Sequence, residues 1–413
     1  MNVTPVVLTW AAGGIVASLL LPRLRRRRLA AVVPLAAALA ALLTLGGGAD
    51  LSAVAAQGGL GLGRAAGGLE LVSALAVTVC LVLSPPPDSG EVIVIAACGA
   101  LSALAVATGS PLLFGLCLLG GTALFGVRLV NAAPSRATLA AARVGSLGAA
   151  ALVAAAPFLP VDVSSTPPRA HVAGGFLAGG VAAGFALVPL GGWVVGTARQ
   201  LRGAVLAPWA LLLLPALLLG TQSLQEVLPL LARSAVAGVL LPAGALSLGW
   251  AALRGLSAPD PERYPRVLLA DLGLVAMGMA TDQPGARLGS LVLMLTHLCL
   301  GPLLLQSPVA VLARPRRLAW LALSGVPPTP AFWGRFSIVA GLTAGLGGVP
   351  LLVTMPALGA VAVTAVHALA EAGAADPGSA GPAARAAAWL PPLAALTFGL
   401  VPTLALRALL GVG

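Results

Sequence analysis

Few side chains in this sequence can hold charge or pass a proton, and most of them stand inside apolar stretches. Of 413 residues 8% are charged and three are histidine, and with no lysine anywhere all 23 basic residues are arginine. Glu70 stands in GLELVSAL, Asp271 in VLLADLGLV, His297 in THLCLGPL and Arg335 in FWGRFSIV, while His367 and Glu371 fall one helical turn apart. An ionisable group inside a membrane-crossing run is costly and marks a proton or ion pathway, usually with a partner. Histidine titrates near neutrality and can relay a proton. Arginine keeps its proton, so Arg335 reads as a fixed charge rather than a relay. Arg335, His297, Asp271, Glu70, His367 and Glu371 are therefore the proton-path candidates. Each has a plainer alternative. Glu70 and Glu371 are read first as interfacial carboxylates snorkelling to water. Asp271 lies deeper, yet in a short helix it can still reach the cytoplasmic surface. His297 is read first as a packing residue with one hydrogen bond across a helix interface.

Other chemistries find no support. Cys80, Cys98, Cys117 and Cys299 lie in apolar segments without CxxC spacing, so neither a disulfide framework nor a metal site is expected. Gly-containing phosphate or nucleophile motifs arise by chance among 52 glycines, and none is convincing. No cofactor, metal or catalytic residue is expected. The net charge of +11 comes with a single tyrosine and with arginines in short runs, which argues against nucleic acid.

The elements that must position these residues are membrane helices. A chain that is 59% hydrophobic cannot build a soluble shell, its mean hydropathy is +1.03, and long Ala-, Leu- and Val-rich runs select helices over a barrel. The expected fold class is an all-α polytopic membrane protein with about 14 spans of about 20 residues each. The spans fall near 5–21, 29–46, 67–84, 92–108, 111–131, 139–158, 173–196, 204–220, 234–253, 266–281, 287–306, 318–345, 349–370 and 387–410. Alternate loops then carry sixteen arginines against five. The first set holds Arg23, Arg25 to Arg28, Arg128, Arg136, Arg199, Arg202, Arg254, Arg263, Arg266, Arg314, Arg316, Arg317 and Arg385. The second holds Arg64, Arg169, Arg233, Arg287 and Arg407. By the positive-inside rule both termini lie outside the cytoplasm. The first apolar run precedes its basic cluster, the reverse of a cleavable signal peptide. Two spans are interrupted, at Pro189 and at Pro327, Pro328 and Pro330. Paired broken helices point to inverted repeats and an ion path, with ordinary proline kinks as the alternative.

The stretch ALSGVPPTPAFWGRFSIV from Ala322 resembles the "LAGIPPTAGFIGKF" signature of antiporter-like membrane subunits. These occur in respiratory complex I (NADH-quinone oxidoreductase), Mrp-type cation/proton antiporters and membrane-bound hydrogenases. AGFALVPLGGW (183–193) resembles "GFKxxxVPFHxW", THLCLGPLLL (296–305) resembles "THAFFKALLF", and FGLCLLGG (114–121) more weakly resembles "LGLELLSL". The stretch LPPLAALTFGLVP (390–402) resembles the closing helix, and the likeness is nearest to the N and M subunit type, in divergent form.

The resemblance implies an N-terminal two-helix segment with an exterior loop over 1–66, a first half over 67–222 and a second half over 223–372. A C-terminal loop and helix over 373–413 complete the chain. The two halves would be inverted repeats, each with one broken helix. It further implies a multi-pass place in a bacterial-type inner membrane, partnered by other membrane subunits and by lipid, and a share in proton or cation translocation. The family's ion path uses a glutamate and lysines at positions that here fall on Cys117, Gly184 and Gly301, with a following histidine on Gly191. Arg335 replaces the last lysine and His297 keeps the family histidine. Cys117 and Gly184 are expected to approach each other, as the family pair does. Loss of both members of a buried pair can be energetically neutral. The alternative implied by these losses is a non-conducting structural subunit.

Overall fold

The computed structural model describes residues 4–20, 30–45, 64–84, 87–159, 167–201, 203–306, 313–372 and 382–401. Arg23, Arg25, Arg26, Arg27, Arg28, Arg202 and Arg407, the loops at 46–63 and 373–381, and the closing helix beyond 401 lie outside the described residues.

Among the described residues every regular element is helical. The chain runs through α1 (Thr4–Leu20), α2 (Val32–Leu45), α3 (Arg64–Leu83), α4 (Ser89–Ala107), α5 (Pro111–Ala132), α6 (Arg136–Ala155), α7 (Pro167–Gly184) and α8 (Gly192–Gln200). A π-helical turn, Pro208–Leu213, leads into α9 (Leu214–Val227). Then follow α10 (Leu230–Gly255), α11 (Asp260–Met279), α12 (Pro284–Leu304), α13 (Ala313–Leu323), α14 (Pro330–Leu346), α15 (Leu351–Glu371) and α16 (Pro382–Leu400). Seven of these, α3 to α6, α10, α12 and α15, are long and apolar enough to cross a membrane. The protein is thus a multi-pass membrane protein. Exposed leucines and valines such as Leu147, Leu230, Val349 and Leu352 suit lipid, which needs no polar surface.

Local sequence explains the helix ends. Asp88, Ser110 and Ser135 cap α4, α5 and α6 by accepting from backbone N–H groups three residues on. Pro111, Pro284 and Pro330 open their helices, where a missing N–H does no harm. Helix α11 begins at Asp260 rather than near 266, because Asp260 and Glu262 in its first turn favour the positive end of the helix dipole. Asp271 therefore lies about three turns inside the helix instead of near its end.

Both expected interruptions are present. Helix α7 stops at Gly184, Ala186 takes a φ of 53°, the Val188–Pro189 bond is cis, and α8 begins at Gly192. Helix α13 stops at Leu323, Gly325 takes a φ of 82°, the Pro327–Pro328 bond is cis, and α14 begins at Pro330.

Ion pairs sort the helix ends into two layers. In one, Arg199 at the end of α8 and Arg266 share Glu262, Arg316 at the start of α13 meets Asp260, and Arg263 meets Glu371 at the end of α15. In the other, Arg233 and Arg287 converge on Asp282. The first broken helix ends in the layer where the second begins, so the two run through the bundle in opposite directions.

Two glycine contacts set the spacing of α11 against α10 and of α14 against α12. A Cβ on Gly273 of α11 would stand 2.6 Å from the Gly244 carbonyl of α10, and one on Gly334 of α14 would stand 2.9 Å from the Leu293 nitrogen of α12. Small residues permit this backbone approach, the main packing device where lipid supplies no hydrophobic drive. Gly273 is two residues from Asp271, Gly334 adjoins Arg335, and Leu293 is one turn from His297.

Candidate functional site

The close packing of α11, α12 and α14 brings Asp271, His297 and Arg335 together in the bundle interior. Asp271 is 0% exposed, His297 4% and Arg335 5%. Arg335 grips Asp271 with a fork: its Nε donates to Oδ1 at 2.9 Å and its Nη2 to Oδ2 at 2.8 Å. Two parallel charge-assisted bonds are the strongest arrangement open to a carboxylate and a guanidinium. The remaining arm, Nη1, donates to the Leu323 carbonyl at 2.9 Å. That carbonyl is freed by the end of α13, so the break and the guanidinium satisfy each other. A Cβ at Gly325 would lie 2.7 Å from Nη1, and its positive φ also favours glycine.

His297 extends the cluster. Its Nε2 is 2.9 Å from Asp271 Oδ2, and Tyr264 Oη is 3.4 Å from its Nδ1. Tyr264 and Asp271 are seven residues apart on α11, hence on one face. The result is a buried run from Tyr264 through His297 and Asp271 to Arg335 and the broken backbone.

The first break is built from different parts. The Gly184 carbonyl accepts from Trp209 Nε1 at 3.2 Å, and the Val188 N–H donates to Ser247 Oγ of α10 at 2.7 Å. These two backbone groups are thus met by neutral side chains.

The positions that the resemblance sets against the family's ion-path residues are closely packed by neighbours. A Cβ at Gly184 would meet Leu217 Cδ2 at 2.4 Å, and one at Gly191 would meet Leu269 Cδ2 at 3.4 Å and the Ala186 carbonyl at 2.3 Å. At Gly301 it would meet Tyr264 Oη at 2.9 Å. Cys117 is buried. Gly121, one turn along the same face, packs against Leu213, one turn before Leu217. The segment carrying Leu213 and Leu217 therefore borders both Gly184 and the face that bears Cys117.

The other three candidates are elsewhere. Glu70 is not at the interface: it is 3% exposed and accepts from Trp10 Nε1 of α1 at 3.2 Å. Burial under α1 overrides the snorkelling expected from its place near the start of α3. Glu371 has an exposed side chain and takes Arg263 Nη1 and Nη2 at 2.6 and 2.8 Å, and His367 is exposed. No described contact joins these three to the Asp271 cluster. Sequence reasoning passed over Tyr264, Trp10 and Gly325. The signal for Tyr264 was its being the single tyrosine, two turns before Asp271.

Solved structures with the same fold include a chain of respiratory complex I from Thermus thermophilus with bound NADH. Its TM-score is 0.82 at 18% identity, over 98% of this chain and 97% of that one. A chain of the Mrp complex from a Dietzia species gives 0.84 at 15% identity over all of this chain, which spans 52% of its length. A chain of the membrane-bound sulfane sulfur reductase, an archaeal respiratory membrane complex, gives 0.83 at 13% identity over 99% and 96%. No protein-family model matches the sequence, and no curated protein matches it either. The chain accordingly has the antiporter-like fold found in membrane subunits of complex I, Mrp and related respiratory complexes.

Proposed function

We propose that this chain is a partner-dependent, antiporter-like membrane subunit of a complex I-related, Mrp-related or hydrogenase-type assembly, and that it serves there as a structural subunit. In this reading it crosses the membrane about fourteen times, with the arginine-rich layer in the cytoplasm, both termini outside, and its halves related as inverted repeats. The opposite directions of the two broken helices support the inversion, and the arginine asymmetry supports the orientation.

The observation that carries the structural role is the filling of the ion-path positions. Conduction through hydrocarbon needs titratable side chains and water at mid-membrane. Leucine and backbone occupy the space beside Gly184 and Gly191, so a lysine has no room there without repacking. Arg335, held by three hydrogen bonds, acts as a clamp that ties α14 to α11 and to the end of α13.

A second reading has one observation in its favour: Tyr264, His297 and Asp271 form a contiguous series of titratable groups. Here the second half alone would relay protons. Arg335→Ala and Tyr264→Phe separate the readings when ion flux and the amount of assembled complex are measured together. The structural reading expects Arg335→Ala to lower the amount and leave flux per complex unchanged. A drop in flux per complex with either variant supports the relay instead. Extraction in mild detergent should bring down other membrane subunits, and a chain that purifies alone in stable form would refute the partner-dependent role.

A further inference from the structure

A cleft of about 440 Å³ opens beside the first break, in the layer that holds Arg199, Glu262 and Arg316. Three guanidiniums line it, those of Arg199, Arg254 and Arg266, together with Trp250 and the backbone around Pro189 and Gly191. Among the described residues the one carboxylate paired with any of them is Glu262, which Arg199 and Arg266 share. Arg254 has no acidic partner there and stacks over the Trp250 ring, 4.6 Å from its centre. The Nε of Arg266 is buried and lacks a hydrogen-bond partner. Three positive charges against one negative leave the cleft about two charges in excess, with unmet donors.

Guanidiniums arranged around a cavity favour a tetrahedral oxyanion, because their planar forks give paired hydrogen bonds to phosphate oxygens. The surface beside the cleft indicates where that anion comes from. Leu246, Trp250 and Leu253 lie on one face of α10 and are 63%, 54% and 64% exposed. In a membrane that face meets acyl chains, while Trp250 and Arg254 at its charged end meet the headgroup level. A ligand with a phosphate above two acyl chains matches both features. Basic pockets between membrane helices are a known form of anionic lipid site.

We propose that this cleft binds a phosphate-bearing anion, supplied as the headgroup of an anionic phospholipid whose chains lie along Leu246, Trp250 and Leu253. The bound phosphate would neutralise Arg254 and Arg266 and brace the first break against α10 and α11. The site depends only on this charged layer and not on whether the chain conducts ions.

The test uses the full chain, extracted in a neutral detergent together with the membrane subunits that accompany it and stripped of lipid. Its melting is followed while phosphatidylglycerol, phosphatidylcholine or inorganic phosphate is added. Phosphatidylglycerol should raise Tm and phosphatidylcholine should not. Arg254→Gln, which leaves both Glu262 pairs in place, should raise the half-saturating phosphatidylglycerol by about tenfold, the usual worth of one charged hydrogen bond. Arg254→Gln/Arg266→Gln should abolish the response. Arg169→Gln, at an exposed site outside the cleft, should behave as wild type. Stabilisation by inorganic phosphate that the double variant loses would support the phosphate site with a free ion as its source. An unchanged phosphatidylglycerol response in both cleft variants, or an equal response to phosphatidylcholine, would overturn the proposal.

Discussion

Arg335→Ala should be the most damaging removal of any single charge in the chain, and its magnitude follows from the contacts it breaks. The substitution deletes two bonds to Asp271 and one to the Leu323 carbonyl. Asp271, 0% exposed with Arg335 in place, is left with His297 as its side-chain partner among the described residues. Removing one member of a buried pair costs about 3–5 kcal/mol, because the other charge is left uncompensated. The orphaned carbonyl adds about 1–3 kcal/mol. The His297 bond to Asp271 that remains offsets part of this, so a net loss of about 3–5 kcal/mol is expected. Replacing both partners, as in Asp271→Leu/Arg335→Met, should restore most of the loss, since apolar substitution of a whole buried pair is often neutral or stabilising. The assay is melting in detergent together with the amount of chain in the membrane, in wild type, each single variant and the double. An Arg335→Ala protein with wild-type Tm and amount would refute the clamp, as would a double variant no better than the worse single.

Three further outcomes follow from local geometry. Gly325→Ala places a Cβ 2.7 Å from Arg335 Nη1 at a φ of 82°; it should lower stability by about 1–2 kcal/mol, read as a lower Tm, and leave Asp271→Leu/Arg335→Met less affected. Gly184→Lys should destabilise by about 1–3 kcal/mol or more through overpacking on Leu217, and Leu217→Ala in the same chain should return part of the loss in melting experiments. Burial pushes the Glu262 carboxyl up, but its hydrogen bonds and charge contacts with Arg199 and Arg266 outweigh this, so it titrates below its usual 4.5. A depressed carboxylate contributes stability that is complete above the usual value and lost as pH falls below it. Melting followed downward through pH 4.5 should therefore show a loss that Glu262→Gln lacks.

Hydropathy and proline act locally, and the helices and breaks they control were visible in the sequence. Among the described residues the apolar stretches are helical, the interruptions at Pro189 and at Pro327 and Pro328 are in place, and the resemblance carried by VPPTPAF pointed to the fold. Helix starts were less legible where charge rather than apolarity marks them: Asp260 begins α11 six residues before its hydrophobic run, which put Asp271 too near the surface. Which charges meet was decided by the tertiary structure. Asp271 and Arg335 are 64 residues apart, and their fork depends on α11 packing beside α14, where a Cβ at Gly278 would stand 3.1 Å from Ile338 Cγ2. Glu70 is likewise buried because Trp10, 60 residues earlier, lies over it, and the space a side chain at Gly301 would enter belongs to Tyr264. A side chain's own sequence neighbourhood sets its helix and its face, whereas its partner depends on the register between helices, which is a property of packing and not of either segment alone.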